Sequence, residues 1–291
     1  MNKQVAFYLL TGKGYGVLKE FIKTFSAVAI EVVFIGQDKN TENDYYNEIK
    51  QLCVDNNILF FDRNAEYEIK SEYVFAVSWR WLIKTDKKLI VLHDSLLPQY
   101  RGFAPLVNML INGEKKIGVT ALFANEDYDC GDIIVQKSVD VAYPITIKAA
   151  INLITPLYSE LVNVIVADYF QAVDIVGKKQ SDKEATYSLW RDEEDYFINW
   201  NDSAINIKRF IDAVGYPYKS ACSMVDNRTV RIKKSTVIDD LKIENRDVGK
   251  VIFFKENYPV VVCKEGLLRL DLVEDEDRNE IKFQKFRLKF K

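Results

Sequence analysis

VLHDSLLPQYRGFAPLVNMLINGEKKIGVTALFANEDYDCGD, residues 91–132, is the stretch whose pattern organises the rest of the chain. Its first residues close an apolar run, Leu89 to His93, and a turn-rich LLPQYRG segment follows, so the spacing predicts a strand ending on a histidine. Phe103 to Asn112 then sets Leu106, Met109, Leu110 and Ile111 on a helical period, stopped by Gly113 where glycine favours a helix end. Ile117 to Ala124 reads as a strand, and Ile133 to Val139 as its partner across the acidic loop NEDYDCGD. His93 is the only histidine in 291 residues, and Asp129 follows it by thirty-six positions. An imidazole titrates near neutrality, so a histidine presented at a strand end is the first candidate for moving a proton at cellular pH.

Toward the N-terminus, short apolar runs alternate with helical patterns. Val5 to Leu10 precedes a Gly-rich turn, TGKGYG (residues 11–16), and a helix pattern through Val17, Leu18, Phe21, Ile22 and Phe25. Val28 to Ile35 reads as a strand, then a helix candidate carries Tyr45, Ile49, Leu52 and Val54, and Ile58 to Phe61 and Tyr73 to Trp79 are further strands. Alternation of this kind predicts an α/β fold, a Rossmann-like, mostly parallel sheet with helices on both faces. Ligands of such sheets sit outside the carboxyl ends of the strands, where both His93 and TGKGYG fall.

Beyond the opening stretch, Thr146 caps a long apolar-rich helix to about Val173, with Pro156 expected to kink or restart it. The polar run Gly177 to Glu184 marks a change of texture. A helix over Ile205 to Val214 follows, then short alternating strands at Ala221–Val225, Thr229–Ile232, Lys250–Phe254, Val260–Cys263 and Leu267–Leu272. The expected organisation is a catalytic domain over 1–176, a linker over 177–195, and a smaller β-rich, OB-like domain over 196–291.

Composition narrows the function classes. The 40 basic and 43 acidic residues leave a net charge near −3, which gives no support to tight nonspecific nucleic-acid binding. Cys53, Cys130, Cys222 and Cys263 lie far apart with no CxxC pair, so neither a metal site nor a disulfide framework is expected. The first apolar run is too short for a signal segment, and the longest candidate span, around Leu153 to Phe170, is interrupted by Ser159, Glu160, Asn163 and Asp168. The expectation is a cytoplasmic protein without a membrane partner.

A carboxylate beside an imidazole holds its tautomer and stabilises the cation formed on proton uptake, or it orders a water that relays protons; such acid/base work contributes about 10² to 10⁴ in rate. TGKGYG offers Thr11, Lys13 and the Gly14 backbone as a phosphate-binding site, with ordinary turn glycines as the alternative. Cys130 beside Asp129 has no surroundings that suggest a nucleophile.

His93, Ser95-Leu96-Leu97-Pro98, Tyr100-Arg101-Gly102, Gly118-Val119-Thr120 and Asp129-Cys130-Gly131-Asp132 together resemble the enzymes that transfer a formyl group from 10-formyltetrahydrofolate to an amine. Phe197-Ile198-Asn199-Trp200 and the segment INIKRFIDAVGYPYKSA (residues 205–221) resemble the C-terminal domain of the two-domain members, which include methionyl-tRNA formyltransferase and bacterial formyltransferases acting on amino-sugar nucleotides. The resemblance implies that His93 and Asp129 are catalytic and that 10-formyltetrahydrofolate is the donor. It implies a pterin site at Trp79, Arg80, Trp81 and Leu82, completed by the loop at Asn125, Asp127 and Tyr128; two Trp flanking an Arg suit stacking on a flat heterocycle, unless one or both fill the core. Tyr100, Arg101, Gly102 and Phe103 would border the acceptor amine, or Arg101 would simply connect strand to helix.

The family usually carries Asn two positions before the histidine, and this chain has Val91 there, which offers no polar atom to a developing oxyanion. Protonated His93 and a nearby donor such as Ser78 or a backbone N–H are expected to share the oxyanion instead. With a mildly acidic chain and no long basic insertion, the favoured acceptor is an amino-sugar nucleotide, as in lipopolysaccharide or O-antigen biosynthesis. A charged tRNA is the alternative, as is a catalytically impaired binding module of the same fold. Related sugar-modifying members often pair, so a homodimer is also expected.

Overall fold

The computed structural model describes residues 3–39 and 41–291. In chain order the first elements are β1 (Val5–Leu9), α1 (Thr11–Phe25), β2 (Ile30–Ile35), α2 (Tyr46–Asp55), β3 (Phe60–Asp62), β4 (Tyr73–Val77) and β5 (Lys88–His93). They are followed by β6 (Arg101–Gly102), α3 (Pro105–Asn112), β7 (Lys116–Phe123), β8 (Ile133–Asp140), α4 (Ile147–Phe170) and β9 (Tyr187–Ser188). The last are α5 (Ala204–Ala213), β10 (Ala221–Val225), β11 (Arg228–Ile238), β12 (Val251–Lys255), β13 (Tyr258–Val262) and β14 (Leu267–Glu274).

Seven strands form one sheet in the order β3-β2-β1-β4-β5-β7-β8. The first five run parallel, while β7 and β8 are antiparallel additions. A parallel strand covered on both faces must be apolar throughout, and YVFAV in β4 is buried at every position. The chain winds outward from β1 in one direction through β2 and β3 and in the other through β4 and β5. The crevice beyond the carboxyl ends of β1 and β4 is therefore the topological switch point, where such sheets take ligands.

Two elements differ from the sequence expectation. TGKGYG is not a turn before a helix: α1 starts at Thr11 and runs through all three glycines. Their smallness serves close packing, since a Cβ on Gly16 would lie 2.7 Å from Cγ2 of Thr155 on α4. The helix α4 is 24 residues long and continues past Pro156 without a break. It is long and apolar enough to cross a membrane by length and composition, with a mean hydropathy of 1.5 over its most apolar window. Its Ala150, Ile154, Tyr158, Leu161, Val162, Ile165 and Val166 are nonetheless buried within the protein.

Close contacts divide the chain into two compact units, the first made of the residues up to Leu106 with Lys115–Val141 and Ala149–Leu189. The second combines Val107–Glu114, Ala142–Lys148 and Trp190–Lys291. Much of the segment expected as linker thus packs into the first unit, because its backbone is hydrogen-bonded there: Lys178 exchanges two bonds with Ile133, and β9 pairs in parallel with β6. In the second unit, five antiparallel strands are ordered β10-β11-β14-β13-β12. The C-terminal tail bonds to both edges, through Met224 and Lys291 on one side and Val251 and Leu288 on the other, which leaves neither edge bare.

Candidate active site

His93 ends β5, where it is paired with Thr120 of β7 and is 7% exposed. Its Nε2 lies 2.8 Å from the carbonyl oxygen of Tyr100, and its Nδ1 lies 3.4 Å from Oδ1 of Asp129. The carbonyl and the carboxylate alike can only accept, so the neutral ring can donate to one of them and the imidazolium to both, with Nδ1 facing Asp129. A proton arriving at Nδ1 therefore lands between the ring and Asp129.

Asp129 is held with equal care. Its backbone is left-handed (φ 57), and its Oδ2 accepts from the Gly102 amide at 2.9 Å. Two residues on, a Cβ at Gly131 would sit 1.7 Å from the Phe123 carbonyl oxygen, so the loop can fold back on the end of β7 only with glycine there. The SLLP turn is fixed by Thr120, which donates to the Ser95 carbonyl at 2.6 Å and accepts from the Leu97 amide at 3.1 Å. Gln136 adds a bond to the Leu97 carbonyl at 2.9 Å.

The Arg101 side chain is buried rather than turned toward solvent, and the residue lies between β5 and α3, as the strand-to-helix alternative has it. It is 2% exposed, and its Nε and Nη2 donate to Oε1 of Gln180 at 3.1 and 3.0 Å while Nη1 reaches Asp182 at 3.1 Å. A buried guanidinium requires such partners, and this one uses its donors inward. Gln180 in turn donates to the Asp129 and Gly131 carbonyls at 2.8 and 2.7 Å. Tyr100 is tied by its amide to Thr186 at 2.8 Å. Phe103, 46% exposed, stands 6.2 Å from the Tyr128 ring beside the same loop.

The expected phosphate site at Thr11, Lys13 and Gly14 is corrected by the geometry. The Thr11 amide donates to the Asp44 carbonyl and the Gly14 amide to the Leu10 carbonyl, so neither is free. Lys13 is buried and ion-paired to Oδ2 of Asp94, whose Oδ1 takes the Tyr158 hydroxyl. A buried ammonium needs a carboxylate, and Asp94, next to His93, supplies it.

At the switch point, Leu10 donates its amide to the Val77 carbonyl, and Thr11 and Ser78, just beyond the ends of β1 and β4, are both left-handed (φ 63 and 54). Val77, the residue before Ser78, is registered with Leu92, the residue before His93. The Thr11 and Ser78 hydroxyls and the Trp79 indole Nε1 are buried without a hydrogen-bond partner. Val91, beside Ala76 and Leu122 in the sheet, offers only methyl groups.

Trp79 packs on the core cluster of Ala6, Val32, Phe34, Ile69 and Val74 and meets Trp81 edge-on, ring centroids 5.0 Å apart. Arg80 is not sandwiched between them. It makes a two-pronged pair with the buried Asp38 at 3.0 and 2.5 Å, and Arg63 covers the Trp81 ring at 4.1 Å instead. Leu82 is 77% exposed, and Asn125, Asp127 and Tyr128 lie exposed on the loop before Asp129. Burial pushes the Cys130 thiol up, which disfavours its thiolate. Asp94, Tyr158 and Gln180 carry the site's framework, and none belongs to a pattern that periodicity or spacing detects.

Two family models match the chain: formyl transferase over residues 38–154, and formyl transferase, C-terminal domain, over residues 191–290. A methionyl-tRNA formyltransferase of Thermodesulfovibrio yellowstonii is 34% identical over 202 residues, which is 68% of this chain and 61% of that protein. Among solved structures, WlaRD, described as a sugar 3N-formyl transferase in the presence of dTDP and 5-N-formyl-THF, shares the fold with a TM-score of 0.69 at 19% identity, covering 92% of this chain and 97% of that one. An N-formyltransferase from Helicobacter canadensis, in complex with folinic acid and dTDP-3-aminofucose, aligns with a TM-score of 0.68 at 17% identity, over 92% of this chain and 98% of its own. Between them the two models span most of the sequence and both of its halves, and this protein belongs to the formyl transferase family of formyl-transferring enzymes.

Proposed function

We propose that this enzyme moves a formyl group from 10-formyltetrahydrofolate to the primary amine of an amino-sugar nucleotide. The observation that carries the reading is the His93–Asp129 pair, Nδ1 to Oδ1 at 3.4 Å, with the opposite ring nitrogen engaged by the Tyr100 carbonyl. In the reaction the amine nitrogen attacks the formyl carbon, and a C–N bond forms as the carbonyl electrons move onto oxygen. The amine proton passes to Nδ1 of His93, where Asp129 stabilises the imidazolium. The tetrahedral intermediate then collapses, its bond to folate N10 breaks, and the proton on Nδ1 is returned to that nitrogen.

The oxyanion needs a donor that Val91 cannot supply. Ser78 supports the role, since its buried hydroxyl lacks a partner and it directly follows β4, whose last residue Val77 is registered with Leu92 just before His93. One such donor is worth about 10² to 10³ in rate. Trp79, Trp81 and the exposed Leu82 form the apolar wall against which the pterin rests.

The sugar-nucleotide acceptor is supported by the two structural relatives with dTDP or a dTDP-sugar bound and by a net charge near −3. The name of the T. yellowstonii relative favours a charged initiator tRNA as the second reading. Incubation with 10-formyltetrahydrofolate and a panel of dTDP- and UDP-amino sugars, scored by product mass, is expected to yield a formylated sugar nucleotide. Formyl-methionyl-tRNA with no sugar product would reverse the acceptor, and no product with either would end the reading.

A further inference from the structure

We infer that Gln180 is a positioning residue, and that the segment from Lys178 to Ser188 is a strap that sets the contact between His93 and Asp129. The strap grips both members of the pair. On the aspartate side, the Gln180 amide nitrogen bonds the carbonyls on either side of Cys130, those of Asp129 and Gly131, at 2.8 and 2.7 Å. On the histidine side, Thr186 accepts the Tyr100 amide at 2.8 Å and Ser188 donates to the Tyr100 carbonyl at 3.4 Å, the same oxygen that His93 Nε2 meets. Parallel pairing of β9 with β6 holds Gly102, whose amide binds the Asp129 carboxylate.

Arg101 locks the device. Its buried guanidinium places two donors on Oε1 of Gln180, which fixes the side-chain amide so that its nitrogen faces the two loop carbonyls. Gln180 is itself 7% exposed, with each polar atom doubly engaged. The left-handed backbone at Asp129 is the conformation that relaxes when those bonds are removed, and its carboxylate then leaves the Nδ1 side of the ring.

The catalytic consequence rests on the formyl-transfer reading, whereas the positioning itself does not. Because His93 is the only histidine, the ring 15N signals of histidine-labelled protein report on it alone. Gln180→Glu keeps an acceptor for Arg101 but loses both N–H donors, and Gln180→Met loses all the bonds. Both variants are expected to shift the Nδ1 signal relative to wild type, while Lys179→Ala, an exposed neighbour on the strap, leaves it in place. With 10-formyltetrahydrofolate and the accepted amine, kcat of Gln180→Glu is expected to fall about ten- to hundredfold with KM for the donor unchanged, the size of loss that a misplacement near 1 Å brings. If Gln180→Met fails to fold, Gln180→Glu decides the matter. Unmoved ring signals in the folded variant, or an unchanged kcat, overturn the proposal. A wild-type protein inert toward every acceptor overturns the formyl-transfer reading instead, and the ring signals still decide the positioning.

Discussion

Two corners of one sheet edge are built on opposite principles. At the end of β5, His93, Asp129, Tyr100 and Arg101 each have bonding partners, and the partners themselves are held. At the ends of β1 and β4, next door, Thr11, Ser78 and Trp79 bury polar atoms with no partner at all. A buried unpaired donor costs about 1–3 kcal/mol, and native proteins keep few of them. The first corner is finished without substrate; the second has donors waiting for an acceptor. The proposed proton handling falls on the finished corner and the proposed oxyanion donor on the unfinished one.

The contrast can be broken most severely at His93. His93→Ala is expected to lose about 10² to 10⁴ in kcat, measured as formylated product against wild type, and full turnover would remove the base from the account. Next is the support beneath it. Lys13→Met leaves the partly buried Asp94 carboxylate with the Tyr158 hydroxyl but without its ammonium, and denaturant unfolding is expected to show a loss of about 1–3 kcal/mol. Ser78→Ala separates the two corners. Its kcat is expected to fall about 10² to 10³ while its melting temperature holds or rises, since the methyl replaces an unsatisfied group. A Ser78→Ala variant that melts earlier with unchanged kcat would make the hydroxyl structural.

The smallest effect lies at a fully bonded carboxylate elsewhere on the sheet. Burial alone would raise the Glu31 carboxyl, but hydrogen bonds from the Ser71 hydroxyl, the Lys70 and Ser71 amides and Tyr67 outweigh it and hold the group below its ordinary range. A lowered folded-state value means that this stability is present above the unfolded value and is lost as pH falls through the folded one. Glu31→Gln is therefore expected to cost about 1 kcal/mol near neutrality, reduced by solvent screening, with the gap closing in acid. Urea titrations at several pH values measure it, and a gap that widens as pH falls would reverse the sign.

Much of the fold is legible in the sequence because apolar runs such as Tyr73–Val77 have one physical use, a doubly covered strand. The start of α1 is not, since glycines signal turns by conformation, whereas Gly16 is present for its size against Thr155. The lone histidine and its acidic loop mark the chemistry, and the structure brings His93 and Asp129 together. Arg101 and Lys13 read as ligand-facing cations, yet both turn inward, because whether a charge meets solvent or a buried partner depends on residues far along the chain, Gln180 and Asp94. Gln180 is the least legible of all: it lies in a run of Lys, Ser and Asp that composition alone assigns to a linker.

The most direct measurement is formyl transfer by Asp129→Asn, followed by product mass at saturating 10-formyltetrahydrofolate. An amide cannot balance a positive charge on Nδ1, so turnover is expected to drop by about 10² or more, toward the 10⁴ seen when a histidine loses its carboxylate partner in other enzymes, with donor binding retained. Wild-type turnover in that variant would contradict the account.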